Sequence, residues 1–260
     1  MEVIVLPTAA DVARLAADVI ERLLTTSPDP VLGLATGSTP EPLYQELIRR
    51  HREEGLSFAH ARAFTLDEYV GLPAGHPERY AAVIRRGLTD HLDLKPEAVQ
   101  GPDGSSADLL GECTRYEQSI VDAGGVDVQI TGIGSDGHIA FNEPGSSLAS
   151  ITRLKTLNAL TRADNSRFFS SAADVPRHVL TQGLGTILRS GHLLLLATGG
   201  SKADAAARAV EGPLTASCPA SIVQLHPHAT VLLDQAAGAA LEHGEYYAEV
   251  WANRPVWQPL

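Results

Sequence analysis

The chain has 260 residues, of which 44% are hydrophobic, enough for one large core or two modest ones and too apolar for a disordered polymer. Its 23 glycines and 16 prolines stand near ordinary usage, which excludes collagenous and low-complexity architectures. With 20 basic against 31 acidic side chains the net charge is -11, so repulsion disfavours nucleic acid and anionic membrane, while a small anionic ligand stays open wherever cations are concentrated.

Glu2 to Leu6 reads as the first strand. Thr8 is placed to cap the helix that follows, with Asp11 at the capping-box position and Val12, Leu15, Ala16, Val19 and Leu23 on one face. Val31 to Ala35 and Ala61 to Leu66 are strands, each followed by a helix, Pro40 to Glu54 and Pro77 to His91. Beyond them the pattern predicts helices over Asp108 to Ala123, Val175 to Leu188 and Lys202 to Val210, and strands over Val126 to Ile133, His192 to Ala197, Ser221 to Leu225 and Thr230 to Leu233. This alternation predicts an α/β fold built on an open, mostly parallel, Rossmann-like sheet with helices on both faces. No Pro/Gly/Ser-rich linker divides residues 1–260, which read as a single domain. Residues 148–174 fit this scheme worst: polar and without clear periodicity, they are either a lid over a site or a surface excursion.

Two cysteines, Cys113 and Cys218, cannot build a disulfide framework, and their spacing to histidines gives no zinc pattern, so a reducing cytoplasm is expected. The first residues lack a basic region followed by an apolar run, and Leu193 to Ala197 falls far short of the roughly 20 residues that span a bilayer.

Ligands of open α/β sheets bind beyond the carboxyl ends of the strands, and four of these ends carry chemistry. Thr36-Gly37-Ser38-Thr39-Pro40 and Thr198-Gly199-Gly200-Ser201-Lys202 each lead from a strand into a helix. With Thr39 as cap and Pro40 as the first helical residue, the outward backbone amides and the helix dipole suit a phosphate, and Lys202 adds a point charge. Either loop is also an ordinary strand-to-helix turn, and neither has the Gly-Lys-Ser/Thr of a nucleoside-triphosphate loop. Gly132, Gly134 and Gly137 fit G-x-G-x-x-G, yet Pro144 and the missing acid near Leu157 disfavour a dinucleotide. The same loop places Asp136, His138 and Glu143 within eight residues, a set suited to proton shuttling, to a metal, or to nothing beyond solvation. Asp67 follows Phe64-Thr65-Leu66, so partial desolvation would raise its pKa above about 3.9 and improve it as a base toward a carbon acid; otherwise it caps a turn. Between Thr152 and Phe168 stand Arg153, Lys155, Arg162 and Arg167 against Asp164 alone, a local excess of cations fit to grip phosphate or merely to face solvent.

Together these motifs resemble the glucosamine-6-phosphate deaminases, sugar-phosphate isomerases that convert glucosamine 6-phosphate to fructose 6-phosphate and ammonia. The resemblance rests on Leu34-Ala-Thr-Gly-Ser-Thr-Pro40, Leu66-Asp-Glu-Tyr-Val-Gly-Leu72, Gly132-Ile-Gly-Ser-Asp-Gly-His-Ile-Ala-Phe-Asn-Glu-Pro144, Asn165-Ser-Arg-Phe-Phe169 and Gly200-Ser-Lys-Ala203, in that order over nearly the whole chain. It implies that His138, supported by Asp136 and Glu143, opens the sugar ring, that Asp67 moves the C2 proton, and that Gly37, Ser38, Thr39, Arg167 and Lys202 bind the phosphate. It implies no metal or redox cofactor, a sugar phosphate as ligand, and a homo-oligomer, some relatives being hexamers activated by N-acetylglucosamine 6-phosphate. Ser146, Arg153, Lys155, Thr156 and Tyr246 match the residues of that allosteric site. Two other functions stand beside it: a related lactonase, which has no use for Asp67 as a carbon base, and a non-catalytic sugar-phosphate sensor, which the absent basic helix-turn-helix disfavours.

Overall fold

Thr8 caps as its position predicts: its hydroxyl accepts from the Asp11 N–H, and α1 (Ala9–Thr26) runs between β1 (Glu2–Leu6) and β2 (Val31–Leu34) in the computed structural model, which describes residues 1–255, 257, 258 and 260. There follow α2 (Glu41–Glu54), β3 (Arg62–Thr65), β4 (Asp67–Tyr69), α3 (Tyr80–Gly87), β5 (Val99–Gln100), α4 (Leu109–Asp122), β6 (Val128–Thr131), β7 (Arg153–Thr156) and α5 (Ala159–Asn165). The last elements are β8 (His178–Thr181), α6 (Leu184–Ile187), β9 (His192–Ala197), α7 (Ala203–Val210), β10 (Ala229–Asp234) and α8 (Gly244–Ala252).

Seven strands form one parallel sheet in the order β1-β10-β9-β6-β2-β3-β5. Its central strands β2, β6 and β9 are buried throughout, as strands covered on both faces must be; β2 and β9 are accordingly nearly unbroken apolar runs, while β6 buries Gln129 and Thr131 as well. The chain builds outward from β2 through β3 to β5, then returns to the other side of β2 as β6 and builds through β9 to β10. That reversal between β2 and β6 opens a crevice at their carboxyl ends. Gly33 of β2 is a glycine for a packing reason: a Cβ there would collide with the side-chain amide of Gln129 on β6. A second, antiparallel sheet, β4-β8-β7, stands beyond β3, because Leu66 breaks the strand and Asp67 restarts it in the new sheet.

Several expectations give way here. The predicted helix over Val175 to Leu188 is the strand β8 and the single turn α6; Val179, Leu180 and Thr181 are all fully buried, so alternation is erased and period alone cannot separate strand from helix. The predicted strand over Ser221 to Leu225 lies in a 3-10 turn, Pro219–Gln224, where the Ser221 hydroxyl bonds the Thr215 backbone instead of leaving it to a ladder. The helix expected over Pro77 to His91 starts at Tyr80 and stops at Gly87. Residues 148–174 are not irregular: they hold β7, an edge strand with alternating exposure, and α5, capped by Asn158.

At the other end of the main sheet His226 and His192 are buried. His192 places Nε2 2.8 Å from Thr230 Oγ1 and stacks on His228 with ring centroids 3.8 Å apart. Burial, then the charges of His228 and His226, push the His192 pKa down to about 3. The unfolded chain therefore takes up a proton below about 6.5 that the folded chain refuses, so stability holds above that pH and falls by about 1.4 kcal/mol per unit on acidifying toward about 3. In urea titrations the stability of His192→Asn should fall less steeply than wild type between about pH 6.5 and 5, by about one proton in slope. Parallel slopes would show that His192 takes no part in acid lability.

Candidate active site

At the crevice the loops after β2, β3, β6 and β9, together with α5, enclose a cavity of about 510 Å³. Gly37, Ser38, Thr39, Asp67, His138, Arg167 and Lys202 all line it, so seven residues singled out in the sequence, from four separate loops and the turn after α5, meet in one place. A smaller cavity, about 280 Å³, lies among Ile120, Val121, Val126 and Ser190, residues that precede β6 and β9 or end α4.

Asp67 is placed by the change of sheet. The Thr65 carbonyl accepts from Tyr116 Oη and from Gln182 Nε2 at 3.2 Å, and the Leu66 carbonyl from the Gln182 N–H at 2.8 Å, which fixes the backbone on both sides of the break. The Asp67 side chain is 5% exposed and its charged form gains no hydrogen bond among the described residues. Burial first, and then the neighbouring Glu68 carboxylate, raise its pKa well above the ordinary carboxylate range. Glu68 points the other way, as alternate strand residues do, and accepts from the N–H groups of Tyr80 and Ala81 at the start of α3 at 2.9 and 3.1 Å.

His138 sits on a tight glycine turn: Gly134 N–H donates to the His138 carbonyl at 2.9 Å, Gly137 N–H to the Gly134 carbonyl at 3.0 Å, and Gly137 has φ +91°. A Cβ on Gly134 would strike the imidazole, so the ring rests directly on backbone. Asp136 Oδ1 lies 2.6 Å from His138 Nδ1 and also accepts the His138 backbone N–H at 3.1 Å. The ring contact is close but poorly aligned for a hydrogen bond, and Nδ1 has no other partner among the described residues. His138 holds the Asp136 pKa below its usual value, so the carboxylate stays charged to orient the ring. Behind this loop Ala220 N–H donates to the Gly137 carbonyl and Gly145 N–H to the Ala216 carbonyl, both at 2.8 Å. Two residues past His138, Ala140 adopts φ +51°, a left-handed conformation that costs a residue bearing a Cβ and marks the loop as held from outside.

Glu143 goes elsewhere. The expected support of His138 is not its observed contact: its carboxylate is buried and accepts from Asn158 Nδ2 at 2.8 Å and from the Thr161 hydroxyl, binding the loop to the N-terminus of α5. The reason is local, since Asn158 caps α5 and brings two donors beneath Glu143.

The phosphate-type loops keep the expected backbone and lose the expected cap. Gly37 has φ +94° and Gly199 φ +86°, but α2 starts at Glu41 after Pro40, with no side-chain cap from Thr39. Asp234, at the end of β10, accepts the Gly199 N–H with both oxygens at 3.0 Å and so fixes the second loop. Lys202 is half-buried; burial, then the charge of Arg167, lowers its pKa, as two cations converging on one space require. Arg167 is exposed with its guanidinium 4.7 Å from the Phe168 ring centroid. Of the remaining expected residues, Arg153, Lys155 and Thr156 lie on β7, Ser146 is buried nearby in sequence with Oγ unpartnered among the described residues, and Tyr246 is 63% exposed on α8, which packs on β1. Sequence reasoning missed the aromatic wall of the cavity, Tyr80, Phe141 and Phe168; the one available signal was Tyr69, two residues from Asp67 on the same strand face.

Comparison with known proteins agrees with this geometry. Residues 7–232 match the family described as glucosamine-6-phosphate isomerases/6-phosphogluconolactonase. The glucosamine-6-phosphate deaminase of Corynebacterium kroppenstedtii is 60% identical over 259 residues, 99% of each chain, and that of Arthrobacter sp. (strain FB24) is 56% identical over 260 residues, 100% of each. A solved structure described as a monomeric glucosamine-6-phosphate deaminase superposes with a TM-score of 0.90 at 43% identity, covering 92% of this chain and 100% of that one. A 6-phosphogluconolactonase from Thermotoga maritima shares the fold, with a TM-score of 0.70 at 20% identity and coverage of 90% and 98%. Motif order, sheet topology and full-length identity agree, and the chain belongs to the glucosamine-6-phosphate isomerase/6-phosphogluconolactonase family.

Proposed function

We propose that the chain is a glucosamine-6-phosphate deaminase, and that Asp67, Asp136, His138, Gly37, Ser38, Thr39, Arg167 and Lys202 carry its activity. The observation that carries this is one cavity holding a buried carboxylate, without hydrogen bonds among the described residues, together with a carboxylate-backed imidazole. His138 moves a proton between the anomeric hydroxyl and the ring oxygen, which opens the sugar and creates an aldehyde at C1. That carbonyl acidifies the C2 hydrogen, and Asp67, raised in pKa, removes it to give an enol. Return of the proton to C1 leaves an iminium at C2, which water hydrolyses to the ketone and ammonia. The substrate's own carbonyl is the electron sink. The phosphate, held by Arg167, Lys202 and the amides of two loops, keeps C2 in register with the base.

A lactonase of the same fold needs the phosphate loops and His138 but no raised carboxylate beside them, so Asp67 favours the deaminase. In the same proposal, residues 148–174 act as a lid tied down by Glu143, the free cysteines Cys113 and Cys218 suit a cytoplasmic setting, and a homo-oligomer forms an activator site from Ser146, Arg153, Lys155, Thr156 and Tyr246. The Ser146 hydroxyl, buried and without a partner among the described residues, supports that site. Incubation with glucosamine 6-phosphate in heavy water should release ammonia and leave deuterium at C1 of fructose 6-phosphate. Absence of ammonia at micromolar enzyme would sink the deaminase. The same assay with N-acetylglucosamine 6-phosphate, alongside sedimentation, tests regulation and assembly: unchanged kinetics and a monomer would remove both.

A further inference from the structure

Tyr69 is 2% exposed and shares a strand face with Asp67. Its ring is already wedged among others: Tyr80 with centroids at 4.9 Å, Phe169 edge-on at 5.6 Å and Phe141 at 5.9 Å. A phenylalanine would fill that space equally well, so packing does not account for the oxygen. Tyr69 Oη accepts from Asn165 Nδ2 at 3.0 Å and lies 3.3 Å from Tyr80 Oη, which donates to it. Asn165 is the last residue of α5 and leads directly into the 3-10 turn Ser166–Phe168, which carries Arg167. The Arg167 guanidinium makes no ion pair among the described residues, so its place depends on how that turn is held.

We infer that Tyr69 is a positioning residue for the sugar phosphate: its hydroxyl, by holding Asn165, fixes Arg167 at a set distance from Asp67 on the same strand. This rests on the deaminase mechanism and on Arg167 as a phosphate ligand. One short strand then sets both ends of the substrate, the carbon that reacts and the phosphate that anchors it. Removing the oxygen frees the anchor and leaves the reacting groups in place.

Steady-state kinetics on glucosamine 6-phosphate, with inorganic phosphate as competing inhibitor, test this in Tyr69→Phe, Asn165→Ala and the double variant. Loss of one buried hydrogen bond should raise KM and the phosphate inhibition constant in parallel by about tenfold, with kcat within about twofold. The double variant should be no worse than either single one, since both break one link. Wild-type KM and phosphate inhibition in Tyr69→Phe, a loss confined to kcat, or additive effects would overturn the inference. Should Tyr69→Phe fail to fold, Asn165→Ala carries the same comparison. Arg167→Ala separates the two levels: phosphate inhibition unchanged there means that the phosphate assignment itself is wrong, whereas inhibition weakened there and not in Tyr69→Phe means that only the role of Tyr69 is.

Discussion

Asp67→Asn should lower kcat on glucosamine 6-phosphate by about 10²- to 10⁴-fold while leaving inhibition by inorganic phosphate near the wild-type value. The amide is nearly isosteric and occupies a buried site whose carboxylate had no hydrogen bonds to lose among the described residues, so the fold has little reason to respond. What disappears is the lone pair that accepts the C2 proton. In wild type the base must be ionised to act, and its pKa is raised, so the acid limb of kcat/KM should lie above the ordinary carboxylate range of about 3.9. Activity is then lost on acidifying through that limb and regained above it. An Asp67→Asn enzyme with near wild-type turnover would remove Asp67 as the base.

His138→Gln should cost kcat about 10²-fold or more, because the step it serves, opening the pyranose, precedes everything Asp67 does. The imidazole rests on Gly134 and is held by Asp136, so a glutamine of similar reach can occupy the space without relaying a proton. Asp136→Asn should reproduce part of the loss, since it removes the charge that orients the ring. The discriminating measurement is an open-chain amino-sugar phosphate that cannot cyclise. His138→Gln should process it far better, relative to wild type, than the cyclic substrate. An equal deficit on both would place His138 in a later step.

The parts of the fold that could be read from sequence are those whose local pattern agrees with their tertiary role. Thr8 caps α1 because the capping box and the apolar stripe point to the same helix, and β9 is recognisable because Leu193 to Leu196 can only be buried on both faces. The second sheet escaped because its evidence is non-local. β4 is three residues long and exists only through pairing with β8, while β8 lost its alternation by being covered on both sides. For the site the same division holds. Glycine turns and a charged residue after an apolar run mark loop ends, so Asp67 and His138 could be named from sequence. The direction of Glu143 could not, because its partners Asn158 and Thr161 belong to a helix whose seven residues are too few to show a period.

The edge of the main sheet carries a consequence for how the molecule comes into being and how it is dismantled. Among the described residues strand β1 pairs only with β10, so that Glu2 faces Thr230 and Leu6 faces Asp234. During synthesis β1 must therefore wait, with its apolar Val-Ile-Val unpaired, until β2 to β9 have been made. Such a chain has a long window in which a folding helper could hold it. A protease that nicks the chain before β10 would sever the covalent link to the pairing partner of β1, leaving that strand held in the sheet by hydrogen bonds and packing alone.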